Sequence, residues 1–112
     1  MSLETTDPDM LMMHMATRSE ELEKAETLVA ELKPRFEAYE SAAEIALRDG
    51  GGAKSMAEAE KRVRADENWV AMYEALMLAH VAAAEAKRAY RRAEMAIDLY
   101  RTVQATVRAI ER

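Results

Sequence analysis

With 112 residues and a formal net charge of −5, the chain has the length of one ordinary domain, and nothing in it marks a second fold. Half of the residues are hydrophobic but only 5% are aromatic, and 33% are charged, which argues against a thick globular core and against a disordered chain, and fits long helices and coiled coils. There is no cysteine, so disulfides, thiolate metal sites and thiol chemistry are excluded.

The first helix is predicted over about residues 8–48. Asp7 can cap it, Pro8 fits the first helical position and Asp9 suits the positive end of the dipole. Apolar residues then recur at spacings of three and four: Leu11, Met15, Leu22, Ala25, Val29, Leu32, Phe36, Tyr39, Ala43 and Ala46, with Arg18 the one polar interruption. Pro34 removes a backbone hydrogen bond inside this stripe. Because the apolar register continues past it and Lys33 is a poor cap for a new helix, a kink is expected and not a break.

Asp49-Gly50-Gly51-Gly52 ends the helix, since glycine supplies the positive φ of a C-terminal cap, and the turn is placed at 49–53. Ser55 with Glu58 three residues later is a capping box, which starts a short helix over about 55–64. Asp66 followed by Glu67 caps a third helix over about 66–111. Its predicted seam is Met72, Ala75, Ala79, Ala82, Ala86, Ala89, Ala93, Ala96, Tyr100, Val103, Val107 and Ile110, a heptad alternation with seven successive alanines.

The elements combine into an all-α fold: a long antiparallel, coiled-coil-like helical hairpin with a short helix near the turn, one domain over residues 1–112. The expected register sets Leu22, Val29, Leu32 and Phe36 against the alanine tract, and Tyr100, Val103 and Val107 near Leu11, Met12 and Met15. Charge agrees with this direction: residues 1–50 carry twelve acidic and five basic side chains, residues 51–112 nine and eleven. Lys87, Arg88, Arg91 and Arg92 are expected opposite Glu20, Glu21, Glu23 and Glu26. Val70, Leu76, Met77, Val81, Met95, Ile97 and Leu99 fall off the seam, and Met10, Met12 and Met13 cluster early. This surplus implies self-association, a dimer forming a helical bundle being the simplest solution.

No constellation for chemistry is found, so no catalytic residue, metal or cofactor is expected. A di-iron bundle needs Glu-x-x-His, yet Leu11 stands three before His14 and Met77 three before His80. The expected register places His14 near Arg101 and His80 near Arg35, which separates the imidazoles. The acidic cluster reads as a solvated face, and the glycines with Lys54-Ser55 lack the spacing of a phosphate loop. Trp69, Tyr73 and Leu76 form an aromatic patch that either packs beneath the short helix or contacts a partner. No charged leader precedes an apolar segment, and no stretch nears the ~18 apolar residues of a membrane span. A cytoplasmic protein without membrane contact is expected.

Lys54-Ser55 through Ala59, Asp66-Glu67-Asn68-Trp69 and the helix ending in Tyr100 to Ala109 resemble small helical proteins encoded in phage and prophage early regions. The resemblance covers roughly half of the chain and implies a setting among recombination and replication genes. Two functions are therefore expected in order. The first is a non-enzymatic, self-associating protein that contacts an unknown protein partner through Met10, Met12, Met13, Trp69, Tyr73 and Met77. The alternative is an accessory nucleic-acid-binding protein using Lys87, Arg88, Arg91 and Arg92, against which the sequence pI of about 5.1 counts.

Overall fold

The computed structural model describes residues 7–111, so residues 1–6 and 112 of the expected domain lie outside the described residues. Among the described residues three helices are formed: α1 Pro8–Asp49, α2 Met56–Arg64 and α3 Glu67–Glu111. Among the described residues there is no strand. The fold is the all-α helical hairpin with a short helix near its turn.

Local chemistry sets the ends. Asp7 caps α1 as expected: its Oδ1 accepts the Asp9 N–H at 2.9 Å and its carbonyl accepts from the Leu11 N–H at 3.0 Å. The helix runs through Pro34 without interruption. At its C-terminus the Gly52 N–H reaches the Leu47 carbonyl at 2.9 Å and the Gly51 N–H that of Arg48 at 3.3 Å, a Schellman closure with Gly51 at φ 73°. A Cβ on Gly50 would stand 2.9 Å from the Ala46 carbonyl oxygen. Two of the three glycines thus serve geometry that a larger residue could not adopt cheaply.

Ser55 caps α2, its Oγ accepting the Glu58 N–H at 3.2 Å, while the Glu58 carboxylate accepts the Lys54 N–H at 3.1 Å. The box therefore closes one residue earlier than its usual form. Arg62 donates to the Gly52 carbonyl, tying α2 to the turn. Ala59 and Val63, at 0% and 2% exposure, are the inward face of this short helix.

Two compact units divide the chain. The turn unit is Glu26–Val81; the terminal unit is Met1–Ala25 with Ala82–Arg112, described over 7–25 and 82–111. In the turn unit Phe36 meets Trp69 and Tyr73 while Tyr39 meets Asp66, so α1 and α3 run antiparallel. In the terminal unit Leu11 and Met12 share a groove with Ile97 and Tyr100, and His14 and Arg18 share one with Ala89, Arg92, Ala93 and Ala96. Again the segments are antiparallel.

The α1 stripe is the expected one through Ala43, including Arg18, which is half-buried; at its end Leu47 turns inward and Ala46 is exposed. On α3 the seam is different. The least accessible residues are Met72, Leu76 and Ala79 in the turn unit, and Ala83, Ala86, Ala89, Tyr90, Ala93, Ala96, Ile97, Tyr100 and Gln104 in the terminal unit. Ala75, Ala82, Val103, Val107 and Ile110, expected on the seam, are exposed, whereas Leu76 and Ile97, expected off it, are 5% and 7% exposed. The positions Met72, Ala79, Ala86, Ala93 and Tyr100 belong to either series. What decides the other positions is size, since burying Leu76, Tyr90 and Ile97 removes more apolar surface from water than burying alanine.

The register also differs. Phe36 lies against Trp69 and Tyr73, not against the alanine tract; Tyr100 lies by Leu11 and Met12 as expected, while Val103 and Val107 are exposed. The displacement is about seven residues, one heptad, which leaves every seam position facing a seam position.

Candidate functional site

The turn unit holds a cluster of three aromatic rings with two hydrogen bonds across the helix pair. Asp66 and Trp69 stand at the start of α3, and Phe36, Tyr39 and Glu40 in the last third of α1. Trp69 and Tyr73 stack with centroids 5.0 Å apart and planes at 8°, and Phe36 tilts against both at 5.5 and 6.0 Å. Edge and face then meet with favourable quadrupole contact. The Trp69 Nε1–H donates to Glu40 Oε2 at 2.8 Å, and the Tyr39 hydroxyl donates to Asp66 Oδ2. Asp66 is thus the entry residue of α3, its carbonyl accepting the Val70 N–H at 3.0 Å, while its carboxylate holds α1. That acceptor, with partial loss of water and the carboxylate's charge, holds the Tyr39 phenol above the usual tyrosine range.

The contact candidates are placed as follows. Met10, Met12 and Met13 are 60%, 55% and 68% exposed on α1 of the terminal unit. Tyr73 and Met77 are exposed on α3 of the turn unit, and Trp69 is half-buried, with one face against Tyr73 and its N–H committed to Glu40. Of the aromatic patch, Leu76 is core. Glu40 and Phe36 had no standing as partners of Trp69 in the sequence, because the expected register paired them elsewhere.

Lys87, Arg88, Arg91 and Arg92 are all exposed. Among the described residues the ion pairs within 4.0 Å are Arg18–Glu21 at 2.7 Å and Arg62–Glu58 at 3.7 Å, each along one helix. The expected pairing of the basic cluster with Glu20, Glu21, Glu23 and Glu26 is not made. Long exposed side chains gain little by giving up water for an ion pair.

Two grooves open on the terminal unit. One, about 320 Å³, is lined by His14, Arg18, Ala89, Arg92, Ala93 and Ala96; the other, about 190 Å³, by Pro8, Leu11, Met12, Ile97, Tyr100 and Arg101. His14 therefore faces the alanine tract and not Arg101. Among the described residues no three His, Asp or Glu side chains gather as a metal site, and no helix is long and apolar enough to cross a membrane. Comparison with family models, with characterised proteins and with solved structures gives no match.

Proposed function

We propose that this chain is a non-enzymatic, self-associating helical protein of the cytoplasm that works by protein–protein contact, a homodimer being the simplest assembly. The observation that carries the reading is the mismatch between core and surface in the terminal unit. Among its described residues only Ala93 and Ile97 are buried, while Met10, Met12, Met13, Met95, Leu99, Val103, Val107 and Ile110 stay exposed. Long helices draw their stability from packing and not from propensity, and so small a core leaves these segments short of it. Each such side chain taken from water contributes about 1.5–3 kcal/mol. A partner helix pair supplies that burial.

Sedimentation equilibrium at micromolar concentration tests the reading. A mass of twice 12.6 kDa is expected, and a mass of 12.6 kDa overturns it.

A second reading, an accessory nucleic-acid-binding protein of a phage recombination or replication system, draws on Lys87, Arg88, Arg91 and Arg92. All four are exposed, and among the described residues none of them stands in an ion pair within 4.0 Å. Binding of a DNA oligonucleotide that falls steeply with salt favours it, and absence of binding at low salt removes it.

A further inference from the structure

We propose that, in the terminal unit, the flank of α3 that α1 covers only in part packs antiparallel against the same flank of a second copy, about a twofold axis at Ala89. The proposal rests on the self-association reading and specifies its surface.

Two heptad series share Ala86, Ala93 and Tyr100. One adds Ala83, Tyr90, Ile97 and Gln104 and lies under α1; the other adds Ala82, Ala89, Ala96 and Val103 and continues to Val107. Ala82, Val103 and Val107 of the second series are exposed, and Ala89 and Ala96 line the 320 Å³ groove without filling it. α3 therefore presents an apolar face wider than one partner helix covers, continuous with the seam already made. Its methyl groups allow a second helix to approach to about 8 Å.

Charge selects the occupant and its direction. Glu85 and Arg92 stand one heptad apart on this flank, on either side of Ala89, both exposed and neither in an ion pair within 4.0 Å among the described residues. An antiparallel twofold through Ala89 brings Glu85 to Arg92 of the second copy, and Arg92 to its Glu85, with Ala82 beside Ala96. Each copy supplies what the other lacks, as a closed twofold contact requires. A parallel pair would set Glu85 on Glu85 and Arg92 on Arg92. Pairing instead through the face that carries Met95 and Leu99 brings Arg88 and Arg91 into the contact with Asp98 as the one acidic residue among them.

The chain has no cysteine, so a single one reports proximity directly. Under mild oxidation Ala89→Cys is expected to give a disulfide-linked dimer, because residue 89 meets its own copy on the axis. Ala84→Cys, exposed on the other side of α3, is expected to stay uncoupled, and Ala82→Cys mixed with Ala96→Cys should couple with each other in preference to themselves. Glu85→Arg should weaken dimerisation about tenfold, and Glu85→Arg with Arg92→Glu should restore it. If the wild-type chain sediments as a dimer yet Ala89→Cys couples no faster than Ala84→Cys, or the charge reversal is not rescued, this face is wrong and self-association stands. If the wild-type chain sediments at 12.6 kDa, the underlying reading falls with it.

Discussion

The turn unit locks its helices with side chains of distinct shape and polarity, whereas the terminal unit relies on a repeat of nearly interchangeable methyl groups. Phe36, Trp69 and Tyr73 interlock, and Glu40 and Asp66 each take a hydrogen bond from across the helix pair. Such contacts cannot be reproduced one heptad away. In the terminal unit Ala83, Ala86, Ala89, Ala93 and Ala96 present much the same surface at each step. Register is therefore a property of the turn unit, and openness to a further helix a property of the terminal unit.

The largest expected effect breaks the first half of that comparison. Trp69→Ala removes both ring contacts and leaves Glu40 without its donor, and it should cost about 3–4 kcal/mol in urea unfolding. Ile97→Ala in the terminal unit should cost less, about 2–3 kcal/mol, because the alanine-lined surroundings contribute fewer contacts to lose. If Ile97→Ala proves the more damaging, the assignment of register to the turn unit is wrong.

Tyr39→Phe should destabilise the chain less than Ile97→Ala, by loss of the hydrogen bond to the Asp66 carboxylate. It also carries a pH signature. The folded phenol binds its proton more tightly than the unfolded one, so its contribution is complete below the ordinary tyrosine pKa of about 10 and is lost as pH rises through the raised folded value. Unfolding midpoints above that pH should fall for the wild-type chain and fall less for Tyr39→Phe. The smallest effects lie at the caps: Gly51→Ala, at a φ of 73°, should cost about 1 kcal/mol by strain, and Ser55→Ala about 1 kcal/mol by loss of the α2 cap.

Much of the candidate site was legible in outline. Trp69 and Tyr73 stood out as an aromatic pair, and the basic cluster and early methionines as surface groups. Glu40 as the acceptor for Trp69 and Asp66 as the acceptor for Tyr39 were not, since both depend on which residues of α1 lie opposite the start of α3. No local pattern records that.

What the sequence by itself determined is the set of elements and their ends. Asp7, the glycine turn and Ser55 with Glu58 place the boundaries through hydrogen bonds spanning a few residues, and the α1 stripe follows from a single unambiguous series of large apolar side chains. What only the tertiary structure decided is the heptad by which α1 and α3 are offset and the flank of α3 that α1 covers. A repeat of period seven maps onto itself after a slip of seven, and alanines on both flanks of the shared positions leave two seams equally plausible along the chain. The choice rests on which larger residues, Leu76, Tyr90, Ile97 and the aromatic cluster, find partners through space, and that sum is made only when the helices meet.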